Sequence, residues 1–277
     1  MKYWKPSITA DMIIINEFNE VLLMKRNTNP WKDYWVLPGG FMDKEDSSLE
    51  ETAIREVFEE INFKIETKIF NLGIFDEIGR DIRDRVITNA FYTYIKKEDF
   101  NGNTTGEASS LRWFKKDKLP EMGFDHAKIV VSIPSRFKLG IDIHGVLDTY
   151  PALLLNLAKL VKANGGEIHI MTGSSLIDVR EQLISYTGDV WWDKVFSISD
   201  YVIKRGAWRD DKGHVWTNDI DWNRAKGDYG KENNITLHID DSPDYGQYFE
   251  KGTFLLMNGY NPDEISKWVC SKIEEKI

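Results

Sequence analysis

One stretch constrains this chain more than any other. Gly39 to Phe63, GGFMDKEDSSLEETAIREVFEEINF, is a glycine turn that runs directly into an acidic helix. Ser47 and Ser48 each have a glutamate three residues on, Glu50 or Glu51, which is the arrangement of a capping box and sets the helix start. Residues three and four apart are neighbours on a helix surface, so Glu56, Glu59 and Glu60 share one side. Three carboxylates there repel one another unless something positive sits between them. A divalent cation is the natural partner, because hard oxygen ligands suit magnesium or manganese, which then bind the phosphate oxygens of a substrate. Arg55 lies one turn before Glu59 and can hold it in place. A solvated acidic face accounts for any single Glu pair, but it leaves Leu37-Pro38-Gly39-Gly40 and the clean helix start unexplained.

Taken together, Gly40, Arg55, Glu56, Val57, Glu59 and Glu60 resemble the Nudix box. The resemblance implies an α/β/α sandwich with a mixed sheet and a hydrolase that cleaves a nucleotide pyrophosphate. It also implies Mg2+ (or Mn2+) held by Glu56, Glu59 and Glu60, with Glu59 among the catalytic groups and Gly40 against the substrate. The box departs from the family pattern in three places. The interval from Gly40 to Arg55 is one residue longer, so Asp46, or Glu45, stands where the first glutamate belongs. Asn62 replaces the glycine at the helix end, a mild change since asparagine tolerates the left-handed conformation of a C-cap.

At 277 residues the chain has room for two domains with separate cores. Its 42% hydrophobic and 29% charged residues suit a soluble globular protein. A net charge of -9 offers no general basic surface, so neither nucleic acid nor a membrane is expected as a partner. The one cysteine, Cys270, excludes an intramolecular disulfide and a cysteine metal cluster. The apolar run near the start is too short for a signal peptide, and no stretch is long enough to span a bilayer. The expectation is a cytoplasmic protein acting on a small-molecule nucleotide, with a homodimer left open.

Asp11 to Lys25 reads as a hairpin with a polar turn at Asn16–Glu20, and Trp35-Val36-Leu37 as a short strand entering the glycine turn. Lys68–Asp76, Arg85–Ile95 and Leu111–Phe114 read as further strands, and Asp125–Ile133 as a closing helix. Gly79 to Arg85 is a basic loop, by itself a solvated turn. With WVLPGGF, the RWF strand and Gly123-Phe124-Asp125-His126, it is similar to the ADP-ribose pyrophosphatase branch of the family. That likeness implies that Arg80, Arg83 and Arg85 contact a phosphate or the terminal ribose. It also makes Glu107, before the RWF strand, a candidate base, with a plain loop glutamate as the alternative.

Pro134-Ser135-Arg136 marks a linker, dividing the chain into domains at 1–134 and 137–277. Beyond it, strands and helices alternate. Leu139–Ile143, Glu167–Met171, Val195–Ser197 and Thr236–Ile239 read as strands, with helices at Tyr150–Asn164 and Ile177–Tyr186. Polar clusters recur at the carboxyl ends of these strands, where open α/β sheets place their sites. This half resembles the haloacid dehalogenase superfamily, a Rossmann-like parallel-sheet fold, here without a large cap. By that resemblance Asp142 is the nucleophile, Thr172 and Gly173 hold phosphate, and Lys226, before the helix leading to the last acidic strand, offsets its charge. Asp142, Asp240 and Asp241 bind the metal, with Lys204 and Lys231 as alternatives to Lys226. His144 stands where the family has a second aspartate acting as acid and base, work an imidazole can do near neutral pH. Ala207 to Trp216 reads as a tryptophan-bearing hairpin whose rings pack or stack on a base or ribose, and Asn261–Ile277 as an amphipathic helix docked on its own domain.

The chain is thus expected to be bifunctional. The first domain would cleave ADP-ribose to AMP and ribose 5-phosphate, and the second would be a phosphomonoesterase. A nucleotide sensor with little activity, or a hydrolase of NADH, a sugar nucleotide or a nucleoside triphosphate, are the alternatives.

Overall fold

The computed structural model describes residues 4–257 and 261–274. They form two compact units, Met1–Ile133 and Pro134–Ile277. Among the described residues no helix is long and apolar enough to cross a membrane.

The first unit is a mixed sheet between two helices. β1 (Ser7–Ile15) and β2 (Glu20–Arg26) form a hairpin whose turn is closed by the Asn16 side chain, which accepts from the backbone N–H of Phe18 and of Glu20 at 2.9 and 3.0 Å. β3 (Trp35–Val36), β4 (Gly39–Phe41), α1 (Leu49–Ile61), β5 (Ile69–Phe75), β6 (Val86–Tyr94), β7 (Ala108–Lys115) and α2 (His126–Ser132) follow. The strand order is β3-β2-β1-β6-β5, with β4 also on β1 and β7 on β2; β1 and β6 run parallel and the other pairs antiparallel. Along β1, Met12 and Ile14 face Ala53, Val57 and Ile61 of α1, while Ile13 and Ile15 face Ile129, Val130 and Ile133. Burial on both faces is why MIII and VLLM are continuous apolar runs rather than alternating ones. Each such buried side chain contributes about 1.5–3 kcal/mol. Strand β4 lies in the turn that the sequence pattern left irregular, paired to β1 at Thr9↔Phe41, Ala10↔Gly40 and Asp11↔Gly39.

The second unit is a parallel sheet of order β10-β9-β8-β13-β14. It is built from β8 (Lys138–Ile141), α3 (Pro151–Ala163), β9 (Glu167–Thr172), α4 (Leu176–Ser185), β10 (Lys194–Ser197), α5 (Ile198–Ile203), the hairpin β11 (Trp208–Arg209) and β12 (Val215–Trp216), α6 (Asp219–Asn233), β13 (Leu237–Asp240), α7 (Pro243–Gly246), β14 (Phe254–Leu256) and α8 (Pro262–Glu274). From β8 the chain moves outward through β9 and β10, then returns to the other side of β8 as β13. The strand order therefore reverses between β8 and β13, where crevices open at the carboxyl edge of such sheets. Leu154, Leu157 and Val161 of α3 and Ile265, Val269 and Ile273 of α8 pack in one core; Ala225 of α6 and Val202 of α5 pack in another with Met171 and Phe196. Residues 275–277 of the anticipated terminal helix lie outside the described residues. One placement is corrected: Lys226 lies within α6 rather than before it, because Asn218 caps a helix that already begins at Asp219 by accepting from the Asp221 N–H at 2.8 Å.

Candidate active sites

In the first unit a cavity of about 430 Å³ is lined by Gly39, Gly40 and Phe41, by Arg55, Glu56, Glu59 and Glu60 of α1, and by Arg80, Asp81, Arg83, Glu107, Phe124 and His126. Helix α1 begins where its sequence demands. Ser48 accepts from the Glu51 N–H at 3.1 Å, and the Glu51 carboxylate reaches back one residue further than a standard box, to the Ser47 N–H at 2.7 Å and to the Ser47 hydroxyl. It ends at Asn62 in the left-handed conformation, φ 46°.

The extra residue before Arg55 is absorbed by the Asp43–Asp46 turn, in which the Asp43 N–H donates to Asp46 Oδ2 at 2.9 Å. That turn selects Asp46 as the acid facing Arg55 and leaves Glu45 exposed. Arg55 donates to both Asp46 oxygens, at 3.0 and 2.9 Å, and also to Glu56 at 2.8 Å, Glu59 at 3.1 Å and the Phe41 carbonyl at 2.9 Å. Its hydrogen bond holds the Asp46 carboxyl well below the usual range. Gly40 leaves room for Glu56, since a Cβ there would lie 2.5 Å from the Glu56 carboxyl group.

The three box glutamates line one wall at different depths. Glu60 is buried and accepts from the Gly39 N–H at 2.9 Å; burial, with the neighbouring Glu56 and Glu107 charges, pushes its carboxyl up to about 8. Burial also raises Glu56, while Glu59 is exposed. The three are not drawn into one tight cluster, for Arg55 stands against Glu56 and Glu59, and Glu60 turns toward Gly39. Even so, two acids destabilised as anions beside a third carboxylate and an all-oxygen donor set fit a divalent cation. Glu107 is fixed at the rim by Arg26 Nη2 and by the Thr28 hydroxyl, each 3.0 Å from Oε2.

The three arginines of the basic loop separate. Arg80 is buried and gives both arms of its fork to Asp125 at 3.0 and 2.8 Å, over a polar floor that includes Asp11 at 3.8 Å. Arg80 lines the cavity with most of its side chain buried, and two of its five N–H donors are committed to Asp125. Arg85 does not line the cavity; its guanidinium pairs with Asp76 at 3.8 Å. Only Arg83 offers partly exposed nitrogen to the cavity. It is forked on Asp81 at 3.0 and 2.7 Å and lies over the rings of Phe41 and Phe124, 5.2 and 5.4 Å from their centroids. His126 lies under the cavity, accepting from the Leu37 N–H at 2.9 Å, with burial lowering its pKa. Arg26 and Asp11 escaped the sequence reading, since nothing local links β1 and β2 to the box.

In the second unit, Asp142 directly follows β8 and Asp240 ends β13, and the backbone N–H of Asp142 donates to Ile239 O at 3.0 Å. Lys226, 1% exposed, reaches from α6 to Asp142 Oδ1 at 2.8 Å and Asp240 Oδ2 at 2.6 Å. Asp241 folds over Gly145, φ 76°, where a Cβ would collide with its carboxylate. Asp142, Asp240 and Asp241 each offer an oxygen within 4.8 Å of the others, the only such group of metal-ligating side chains among the described residues. Burial raises Asp142 against the pull of Lys226. For Asp240 burial acts upward too, but hydrogen bonds from His238 and Lys226 lower it. His238 Nε2, 2.9 Å from Asp240, had no signal in the sequence. Thr172 is fully buried at the end of β9, its hydroxyl accepting from the Ser174 N–H at 3.3 Å, with Gly173 beside it. His144 is exposed on extended backbone, φ -79° and ψ 129°. Lys204 and Lys231 are both outside this cluster.

These geometries are those of a pyrophosphate-hydrolase box and an acidic switch-point site. The NUDIX domain family matches residues 5–132. An ADP-ribose pyrophosphatase of Methanocaldococcus jannaschii is 33% identical over 128 residues, 46% of this chain and 73% of that relative. The ADPR responsive transcriptional repressor NtrR of Acinetobacter baylyi is 41% identical over 61 residues, 21% of this chain and 24% of the repressor. Among solved structures, the NUDIX domain of Shewanella oneidensis NrtR with ADP ribose is 24% identical, covering 47% of this chain and 87% of that one with a TM-score of 0.42. A mutT/nudix family protein from Listeria innocua is 32% identical, covering 47% and 92%, with a TM-score of 0.39. The chain belongs to the Nudix family through its N-terminal unit.

Proposed function

We propose that the first unit hydrolyses the pyrophosphate of ADP-ribose, giving AMP and ribose 5-phosphate, and that the second is a phosphomonoesterase. The observation that carries the first reading is the meeting of Glu56, Glu59, Glu60, Glu107 and Arg83 on one cavity. The ADP-ribose assignment draws on the Methanocaldococcus relative. Glu56, Glu59 and Glu60 would hold Mg2+ or Mn2+, which when bound supplies Lewis-acid polarisation of the pyrophosphate and a more acidic water. Arg55 orients Glu56 and Glu59, and Arg83 with Phe41 and Phe124 offers a cation and two ring faces to the rest of the substrate. Glu107 would accept a proton at its carboxylate.

In the second unit Asp142 would attack phosphorus as the ester's P–O bond breaks and the departing alcohol takes a proton from His144; water would then cleave the aspartyl phosphate, and Lys226 would offset charge on the phosphate oxygens. Asp142, Asp240 and Asp241 form an oxygen set suited to magnesium. The haloacid dehalogenase likeness rests on these residues and on the parallel sheet, since the family match ends at residue 132. The similarity to a repressor that responds to ADPR favours a second reading of the first unit, a sensor of the same ligand; the three glutamates on the cavity favour turnover.

A panel of nucleotides with Mg2+ on the intact chain, products resolved by chromatography, tests both units. AMP from ADP-ribose is expected. Glu60→Gln should lower that rate at least a hundredfold, equivalent to about 3 kcal/mol of lost transition-state stabilisation, with the circular dichroism unchanged. Unchanged turnover would remove the metal assignment, and binding of ADP-ribose without any cleavage would favour the sensor.

A further inference from the structure

The carboxyl edge of the second sheet carries an aromatic rim that the phosphomonoesterase reading leaves unused. Helix α6 ends just before β13 begins, so its first turn lies at the strand ends that carry Asp142, Thr172 and Asp240. Trp222 in that turn stands against the phosphate-side loop, where a Cβ on Gly173 would lie 3.3 Å from its ring. Its Nε1 donates to the Tyr245 hydroxyl at 3.2 Å, and Lys226 Nζ lies 4.4 Å from the centroid of the Tyr245 ring. Aromatic surface is therefore continuous from Lys226 to the start of α6.

The hairpin β11–β12 leads directly into that helix start. Trp208 and Trp216 pair across it with centroids 5.9 Å apart and planes at 15°, and they are 59% and 54% exposed. The pair steadies the hairpin and still leaves more than half of each tryptophan in water. Asp210 fixes the turn, accepting from the Lys212 and His214 N–H groups at 2.9 and 2.8 Å and from Trp216 Nε1 at 3.1 Å. Asp200 ties the hairpin to the start of α4: it lies 4.0 Å from Arg209 and accepts from the Leu176 N–H at 2.9 Å. Leu176, Ile177 and Ile220 add exposed apolar surface on the same edge.

We infer that this rim binds the planar aromatic part of a phosphomonoester, so that the second site acts on nucleoside monophosphates in preference to sugar phosphates. The inference rests on the phosphomonoesterase reading. A ligand whose phosphate end is set by Lys226 and the three aspartates would extend along Tyr245 and Trp222 toward the hairpin rings. A nucleobase offers a π face to those rings; a bare sugar does not. Of the two monoesters that pyrophosphate cleavage would release, the second unit would then consume the nucleotide and leave the sugar phosphate.

The test compares phosphate release from AMP, ribose 5-phosphate and glycerol 3-phosphate by the intact chain with Mg2+. A preference for AMP of about tenfold or more in kcat/KM is expected. The double variant Trp208→Ala/Trp216→Ala should raise KM for AMP about tenfold and leave ribose 5-phosphate unchanged, while Trp208→Phe/Trp216→Phe restores most of the loss. Equal or better use of the sugar phosphates by the natural chain overturns the inference and leaves the phosphomonoesterase reading standing. So does an unchanged AMP preference in the alanine variant, including the case where that variant shifts a dimer to monomer in sedimentation and the rim is an interface between copies. Release from none of the three esters removes the phosphomonoesterase reading and this inference with it.

Discussion

Glu56, Glu59 and Glu60 come from neighbouring turns of one helix, the first two held by Arg55 and the third by the Gly39 N–H. Asp142 and Asp240 come from two strands, and the lysine that joins them is 84 residues from Asp142 in sequence and fully buried. Both sites gather carboxylates, yet they balance the charge differently. The first keeps its arginine 22% exposed at the cavity wall, less desolvated than the lysine of the second. The second takes a cation and its acids out of water together, so the pairing becomes part of the fold. The acids are thus tied to stability in the first unit through the burial of Glu60 and in the second through the pairing with Lys226.

The contrast breaks most sharply at Lys226. Lys226→Met strands Asp142 and Asp240 without a counter-charge and is expected to cost the second unit about 3–5 kcal/mol, read by urea titration with hydrogen exchange followed in β8 and β13. Pyrophosphate cleavage by the first unit should survive. A loss under about 1 kcal/mol would show that Asp142 takes up a proton when its partner leaves, and the two sites would then be alike.

The next largest effect is one of pH. Burial alone would raise Glu167, but the hydrogen bond from His169 and the charges of Arg136 and Lys138 outweigh it and bring the carboxyl down to about 2. A folded pKa below the unfolded value contributes stability that is present above about pH 4.5 and lost as pH falls toward 2. At about 1.4 kcal/mol per unit this is on the order of 3 kcal/mol. Thermal melts of the intact chain from pH 6 to pH 2 should show it, and Glu167→Gln should flatten that slope. An equal slope in the variant would deny the second unit its buried pairing.

Smaller effects sharpen the first site. Asp46→Asn should lower pyrophosphate hydrolysis roughly tenfold, because Arg55 loses the partner that sets its height against Glu56 and Glu59, while Glu45→Gln changes nothing measurable. Equal losses in the two variants would mean the turn does not distinguish them. Arg83→Ala is expected to raise KM about threefold with kcat kept, the size of an exposed cation–π contact; a fall in kcat alone would place Arg83 in the chemistry instead.

Much of the first site was legible because its parts are close in sequence. A serine cap at Ser47 or Ser48, the left-handed Asn62 and the pairing of Arg55 with Glu59 are consequences of helical spacing and of backbone preferences that neighbours barely alter, and the structure chose Ser48. The choice of Asp46 over Glu45 was not legible, since it depends on how the Asp43–Asp46 turn closes. Neither was the fate of the three arginines: one basic loop contains them all, but Asp125 on another element claims Arg80, and the rings of Phe41 and Phe124 select Arg83. In the second unit the strand ends and their acids could be read from apolar runs, whereas the position of Lys226 inside α6 and the partnership of His238 with Asp240 could not.

By itself, then, the sequence determined the box helix, its caps, the acids on one of its faces and the alternation of strand and helix after residue 137, because each follows from periodicities of two to four residues. The tertiary structure alone decided which of those charges meet. Glu60 is made reluctant to ionise by the burial of its helix face against β1 and β4, and the aspartates of the second unit converge because the strand order reverses between β8 and β13. Burial and sheet order depend on contacts between residues far apart in the chain, and no local pattern encodes them.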